Sequence, residues 1–151
     1  MLSSRIGSFE GLRVADLFAG SGALGLEALS RGAAACTFVE KDRAAIEALR
    51  ANLTRLGAYD RAELRSQAVE HLSAPADPYD LIFMDPPYGV GLAQQSLDRV
   101  AAGSWLAPGG WLSIELHRET LDLPPGLELA AERRFGKATI ILIQIRAQAL
   151  S

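Results

Sequence analysis

Cysteine and histidine are scarce in this 151-residue sequence. The single cysteine, Cys36, excludes an intramolecular disulfide and a zinc site built from several cysteines. The two histidines, His71 and His117, have no partners at metal-ligand spacing, so we predict neither a metal site nor a catalytic histidine. No apolar run reaches the roughly 18 residues that a membrane span requires, and residues 1–13 lack the apolar core of a signal peptide. These absences predict a soluble, cytoplasmic protein without a membrane contact.

Positive charge is not in excess either. Lysine and arginine total 15 against 18 for aspartate and glutamate, which gives a formal net charge of -3. Nucleic-acid binders usually carry a basic surplus, so this balance argues against a large non-specific phosphate-binding surface, although it leaves room for a local basic face. The length fits one ordinary domain, and we expect residues 1–151 to form a single domain and a monomer.

Short apolar runs alternate with longer amphipathic ones along the whole chain. Strands are predicted at residues 12–18, 35–40, 63–66, 79–84, 110–115, 127–135 and 138–146, and helices at 23–30, between Asp42 and Gly57, and at 91–102. Repeated strand–helix units that end in two strands predict an α/β fold: a mostly parallel, doubly wound sheet with a C-terminal antiparallel hairpin. Ligands bind such sheets beyond the carboxyl ends of the strands, where three candidate segments converge.

The first candidate segment is a glycine-rich loop that joins the first strand to the first helix. Gly20, Gly22 and Gly25 match the G-x-G-x-x-G spacing, and Glu40 follows Gly20 by twenty residues at the end of the second strand. A carboxylate there can accept hydrogen bonds from ribose hydroxyls. The pattern fits a nicotinamide cofactor or S-adenosylmethionine, and a plain structural turn with a solvated Glu40 is the alternative.

Asp16, just before this loop, favours S-adenosylmethionine. A carboxylate at that position would repel the pyrophosphate of a dinucleotide, whereas it would attract the cationic sulfonium and ammonium groups of S-adenosylmethionine. Asp16 could also cap the loop by accepting hydrogen bonds from backbone amides. The two roles are compatible.

The second candidate segment is Glu40 at the end of the second strand, and the third is Asp85-Pro86-Pro87-Tyr88, which directly follows an apolar strand. Two successive prolines remove two donors and fix φ, so the backbone cannot continue a sheet ladder there. The Asp85 carboxylate and the Pro86 carbonyl form a rigid acceptor edge that suits the two N–H donors of an exocyclic amine. Tyr88 offers a flat face for a base.

This arrangement addresses a difficulty in the chemistry of aromatic amines, whose nitrogen lone pair is delocalised into the ring. Hydrogen bonds from the amine to Asp85 and Pro86 would stabilise the positive charge that develops on nitrogen as it attacks a sulfonium methyl. Positioning of the amine and electrostatic stabilisation of its charge are then enough for methyl transfer, and no covalent enzyme intermediate is needed. A proline-rich turn with Asp85 as a turn residue is the structural alternative.

Residues 16–32, DLFAGSGALGLEALSRG, together with Asp85-Pro86-Pro87-Tyr88, resemble the bacterial 16S rRNA guanine-N2 methyltransferases, the RsmD family. These are class I, Rossmann-like enzymes that depend on S-adenosylmethionine. The resemblance extends from about residue 12 through the terminal hairpin and is strongest at GSGALGLEALSRG. It implies methyl transfer to the N2 amine of a guanine in small-subunit rRNA, with rRNA or the assembling small ribosomal subunit as the partner.

The resemblance also implies which residues form the site. Glu40 would bind the cofactor's ribose, and Gln67 follows the third strand where related enzymes more often place Asp or Asn against the adenine. The cofactor-binding residues implied are Asp16, Phe18, Ala19, Gly20, Ser21, Gly22, Glu40, Lys41, Gln67, Ala68 and Asp85. The catalytic residues implied, which would hold the target guanine, are Asp85, Pro86, Pro87 and Tyr88.

The sequence departs from the family pattern at its start. Members usually carry some tens of residues before the first strand, including a basic hairpin and a helix over the cofactor, whereas here only residues 1–11 precede it. We interpret residues 2–5 as the end of that helix. On this interpretation the acidic balance of the chain reflects a missing basic segment.

Three other functions fit parts of the pattern. An adenine-N6 or cytosine-N4 DNA methyltransferase would also use Asp-Pro-Pro-Tyr to hold its amine. A nicotinamide-dependent oxidoreductase would use the glycine loop but leave residues 85–88 unexplained. A binding module that has lost catalysis would retain the fold alone.

Several further residues are interpreted as structural. Cys36, Trp105 and Trp111 are predicted to pack in the core. Glu115 ends the fifth strand near the expected site, and a solvated strand end explains it equally well. Basic residues at the terminal hairpin, which could contact phosphate but fit a solvated turn better, are Arg133, Arg134 and Lys137.

Overall fold

The computed structural model describes residues 6–145 of the chain. Their seven strands, β1 to β7 in chain order, span Arg13–Leu17, Ala35–Glu40, Ala62–Ser66, Tyr79–Met84, Leu106–His117, Leu127–Phe135 and Ala138–Ile145. The strands form one sheet in the order β3-β2-β1-β4-β5-β7-β6. Neighbouring strands from β1 to β5 pair in parallel, and β7 pairs antiparallel with both β5 and β6. The predicted sheet and terminal hairpin are therefore confirmed.

The α-helices cover both faces of the sheet. In chain order they are α1 (Ala23–Ser30), α2 (Arg43–Leu56) and α3 (Leu92–Ala102). Residues of α1 and α2 share an apolar cluster with Phe38 of β2, while those of α3 share a second cluster with Ile82 of β4. Helices on opposite faces make the sheet doubly wound, as the alternating pattern predicted.

The ends of α2 follow the sequence signals closely. Asp42 Oδ2 accepts the N–H of Ala45 at 2.9 Å, and Gly57 ends the helix at φ +64. Both features satisfy backbone groups that a helix terminus leaves unpaired. This anchors the segment that immediately follows Glu40 at the edge of the site.

The fifth strand begins earlier than predicted. The sequence pattern predicts a start at residue 110, after a turn at Pro108-Gly109-Gly110, whereas β5 begins at Leu106. Tyr79 pairs with Leu106 and Leu81 with Trp111, so the extra residues form an irregularity inside the strand. Gly109 accommodates it at φ +79. The predicted turn is thus a bulge, and the proposed strand end at residue 146 lies outside the described residues.

The sheet reverses its strand order between β1 and β4. β1 continues to β2 on one side, and β4 continues to β5 on the other. Ligands bind open α/β sheets in the crevice beyond such a switch point, at the carboxyl ends of the strands. The glycine loop follows β1 and residues 85–88 follow β4, so both segments lie at this crevice. Within residues 6–145, no helix has the length and apolar character needed to cross a bilayer.

Candidate functional site

The carboxylates of Asp16 and Glu40 hold the glycine loop in place by accepting hydrogen bonds from its backbone. Asp16 Oδ2 accepts the N–H of Gly25 at 3.0 Å. Glu40 Oε1 accepts the N–H of Gly20 at 2.7 Å, and its Oε2 accepts the N–H groups of Lys41 and Asp42, both at 2.9 Å. The loop-capping role considered for Asp16 is therefore confirmed. A carboxylate offers about four acceptor positions, so Glu40 retains capacity for a ligand hydroxyl.

The glycines of the loop serve different purposes. A Cβ on Gly25 would lie 2.4 Å from Phe38 Cε1 and 2.7 Å from Cys36 Sγ, so this glycine lets α1 pack closely on β2. A Cβ on Gly22 would lie 2.3 Å from a methyl of Leu49. Gly20 has φ +60 and open space where its Cβ would be. Only Gly20 therefore shows the free approach to backbone that a ligand requires.

A cleft of about 350 Å³ opens at the switch point, within the size range of small-molecule sites. It is lined by Phe18, Val39, Glu40, Lys41, Gln67, Ala68, Val69, Glu70, Asp85, Pro86, Pro87, Tyr88, Leu92 and His117. Nine of the predicted site residues thus line one cavity, hereafter the first cleft. Five predicted residues are not among its lining residues: Asp16, Ala19, Gly20, Ser21 and Gly22.

The electrostatics of this region favour a cationic ligand. Asp16 is only 3% exposed, and burial raises its pKa to about 7. The Gly25 N–H opposes this rise, while the negative charges of Asp85 and Glu40 add to it. A positive ligand group placed among these three carboxylates would stabilise their ionised forms. A pyrophosphate would meet the same carboxylates with repulsion, so the residues fit S-adenosylmethionine better than a dinucleotide.

Asp85 has two partners that the sequence analysis did not place in the site. His117 Nε2 lies 3.8 Å from Asp85 Oδ1 and 3.7 Å from Glu115 Oε2. Partial burial and the adjacent Glu115 raise the pKa of Asp85 to about 6, and His117 opposes the rise. Of the described residues, only Asp85, Glu115 and His117 bring three atoms that could ligate a metal ion within 4.8 Å of one another.

The sequence analysis found no partners at ligand spacing for His117, whereas the structure places it beside Asp85 and Glu115 in the lining of the first cleft. Glu115 and His117 are two residues apart, so their side chains share one face of β5. β5 also runs parallel to β4, whose last residue Met84 pairs with Ile114. The sequence did contain this signal: two polar side chains in i, i+2 spacing at the carboxyl end of a strand neighbouring Asp-Pro-Pro-Tyr.

A second cleft of about 380 Å³ lies next to the first. Its lining residues are Leu24, Phe83, Met84, Asp85, Ser113, Glu115, Arg133, Phe135 and Ile140. Asp85 lines both clefts and so stands where they meet. The guanidinium of Arg133 lies 4.9 Å from the ring centre of Phe135, which is 47% exposed. The second cleft thus combines carboxylates with an exposed aromatic face.

The residues predicted to be structural are largely confirmed. Cys36 is 1% exposed and Trp105 is 2% exposed, and Trp111 packs at the edge of the core. Arg134 lies 4.0 Å from Glu132 at the surface. Arg133 is exposed as well, but its guanidinium also packs on Phe135 and lines the second cleft.

The strand order, the acid-anchored glycine loop and the Asp-Pro-Pro-Tyr turn beyond β4 together define a class I, Rossmann-like methyltransferase. The family described as "Conserved hypothetical protein 95" matches residues 1–144. The chain belongs to this family, whose curated members include the RsmD-type methyltransferases. That membership favours methyl transfer over the nicotinamide-dependent alternative.

Individual relatives agree with this assignment. Ribosomal RNA small subunit methyltransferase D of Escherichia coli K12 is 37% identical over 135 residues, which cover 88% of this chain and 68% of the relative. Its namesake in Haemophilus influenzae is 34% identical over 134 residues, covering 85% and 69%. The solved structure of yhhF from Escherichia coli superposes with a TM-score of 0.88 at 32% identity, covering 97% of this chain and 85% of that one.

Proposed function

We propose that this protein transfers a methyl group from S-adenosylmethionine to the exocyclic N2 amine of a guanine in small-subunit rRNA. One observation carries the proposal: Asp85, at the end of β4, lines both a cleft suited to a cationic cofactor and a neighbouring cleft suited to a base. The relatives named ribosomal RNA small subunit methyltransferase D support rRNA as the substrate class. We propose the cytoplasm as the location, where small subunits assemble.

The first cleft would hold the cofactor. Phe18, Val39 and Val69 supply apolar surface for its adenosine, and Gln67 and Ala68 border the same region. Glu40 would accept a ribose hydroxyl with its remaining acceptor capacity. When bound, S-adenosylmethionine supplies an electrophilic methyl group on a positively charged sulfur. Asp16 and Asp85 contribute the negative potential that favours that charge.

The acceptor amine would reach Asp85 from the second cleft and lie against residues 85–88, of which Pro86, Pro87 and Tyr88 line the first cleft. Its N–H groups donate to the Asp85 carboxylate and to the Pro86 carbonyl, which orients the nitrogen and stabilises the charge it acquires. Tyr88 is 59% exposed, so its ring is free to stack on the base. The bound cofactor would supply the methyl group and keep the electrons of its S–C bond as a neutral thioether. The methylated nitrogen would then release one proton, and the ionised Asp85 would be placed to accept it.

Methyl transfer to small ribosomal particles tests this proposal. Particles from a strain that lacks the RsmD methyltransferase are incubated with the protein and labelled S-adenosylmethionine, and their RNA is digested to nucleosides. We expect label in N2-methylguanosine and none with Asp85→Ala. Label in N6-methyladenosine or N4-methylcytidine would instead support the adenine or cytosine alternative, and methylation of DNA alone would remove rRNA as the substrate.

A further inference from the structure

Asp85 and Glu115 place two carboxylates side by side on one wall of the second cleft. Met84 pairs with Ile114, so the next residues along the parallel strands, Asp85 and Glu115, are neighbours across the sheet. Both line the second cleft, and each lies within 4.0 Å of the His117 imidazole. One carboxylate suffices to hold an amine. The second therefore needs a separate explanation.

The three candidate bases differ in the atom next to their exocyclic amine. In guanine the 2-amino group neighbours N1–H, which is a donor. In adenine the 6-amino group neighbours N1, and in cytosine the 4-amino group neighbours N3, and both of these ring nitrogens are acceptors. A carboxylate only accepts hydrogen bonds when ionised. Two adjacent carboxylates therefore match adjacent donors, a pattern that guanine alone presents.

We propose that Glu115 selects guanine by accepting a hydrogen bond from its N1–H, while Asp85 accepts one from the 2-amino group. This rests on the proposed function and goes beyond it, because it assigns base choice to a specific side chain. Adenine or cytosine in the same pose would point a ring-nitrogen lone pair at the Glu115 carboxylate. Repulsion and the lost hydrogen bond would then both disfavour the wrong base.

His117 acts as the positioning residue for this pair. Its Nε2 lies at nearly equal distances from the two carboxylates, 3.8 and 3.7 Å, so its positive form offsets their mutual repulsion. The other charged groups around the two clefts are Glu40, Lys41, Glu70 and Arg133, with Asp16 buried beneath the glycine loop. Of the acidic residues among these, none belongs to the group of carboxylate and imidazole atoms, from Asp85, Glu115 and His117, that lie within 4.8 Å of one another.

Competition between nucleotides distinguishes base selection by Glu115 from a purely structural role of that residue. 2-Aminopurine keeps the 2-amino group of guanine but has an acceptor at N1. Guanosine and 2-aminopurine riboside 5′-monophosphates are compared as inhibitors of methyl transfer to the ribosomal particles. For the unmodified protein we expect the guanine nucleotide to inhibit at least about tenfold more strongly, the usual loss when a charge-assisted hydrogen bond is removed.

Glu115→Gln supplies the decisive variant, because its amide can turn an N–H toward an acceptor at N1. In this variant the stronger inhibition by the guanine nucleotide should vanish or reverse. N2-methylguanosine formation should slow about tenfold or more, whereas the affinity for S-adenosylhomocysteine should stay within about twofold of that of the unmodified protein. Glu132→Gln removes the same charge from an exposed site and should change none of these readouts.

Two outcomes would overturn the inference while leaving the proposed function intact. In the first, the unmodified protein forms N2-methylguanosine, but the two nucleotides inhibit it equally or neither of them inhibits it. The other is an unchanged preference in Glu115→Gln. If the unmodified protein methylates adenine or cytosine amines instead, the proposed function itself fails.

Discussion

Glu40 accepts the backbone N–H of Gly20 at 2.7 Å across twenty residues of chain. This bond joins the end of β2 to the one loop glycine that has open space around it. The residue predicted to bind a ribose therefore also fixes the loop beside the cofactor cleft. Substitutions at residue 40 will therefore change both the stability of the loop and the affinity for the cofactor.

Glu40→Ala should weaken binding of S-adenosylhomocysteine by more than tenfold and lower the free energy of unfolding by about 2 kcal/mol. Three backbone N–H groups lose a charged acceptor at once, and hydrogen bonds to charged groups contribute roughly 1.5–3 kcal/mol each in favourable cases. Calorimetric titration and urea unfolding measure the two effects. Glu63→Ala, which removes a surface ion pair with Arg65, is the matched control and should leave affinity unchanged. A normal affinity in Glu40→Ala would contradict its role at the cleft.

Asp16→Asn should make the protein more stable and its cofactor binding weaker. The folded state holds the Asp16 proton up to a pH of about 7 because burial raises its pKa from 3.8. Stability therefore falls as pH rises between those values, since the unfolded chain releases the proton first. We expect a gain of about 1–3 kcal/mol at pH 8 and almost none at pH 4, measured by urea unfolding. An equal gain at both pH values would show that ionisation of Asp16 is not the cause.

Activity should decline as pH falls below about 6, because the pKa of Asp85 is raised to about 6 and the amine needs its ionised form as an acceptor. The midpoint of this decline at low pH should move in opposite directions when the two partners of Asp85 are replaced. Glu115→Gln removes a neighbouring negative charge and should shift it to lower pH, while His117→Ala should shift it to higher pH. Single-turnover rates between pH 5 and 8 provide the measurement. Shifts in one common direction would contradict the electrostatic account.

Gly25→Ala should destabilise the fold by about 2 kcal/mol although alanine favours helices, because overpacking costs typically 1–3 kcal/mol. The added Cβ would overlap Phe38 and Cys36 of β2. Urea unfolding of Gly25→Ala and of Gly25→Ala with Cys36→Ala tests the cause, since the smaller residue 36 should restore part of the loss. No restoration would place the strain elsewhere.

The sequence located the ends of the parallel strands better than their beginnings. Apolar runs such as Tyr79–Met84 end sharply where the functional segments start, so the glycine loop, Glu40 and Asp85 could be placed at one edge of the sheet. The bulge in β5 could not be foreseen, because Pro108-Gly109-Gly110 is equally typical of a turn. His117 was missed for a different reason. Its place beside Glu115 follows from their i, i+2 spacing, but its place beside Asp85 depends on the β4–β5 pairing, which local spacing does not encode.

Labelled methyl transfer to methylation-deficient small-subunit particles, compared between the unmodified protein and Asp85→Ala, tests the central claim most directly. We expect N2-methylguanosine with the unmodified protein and no detectable product with Asp85→Ala. We also expect the two proteins to bind S-adenosylhomocysteine with affinities within a few-fold of each other, because Asp85 acts mainly on the acceptor amine. Undiminished transfer by Asp85→Ala would contradict the account, and so would a loss of cofactor affinity as large as the loss of transfer.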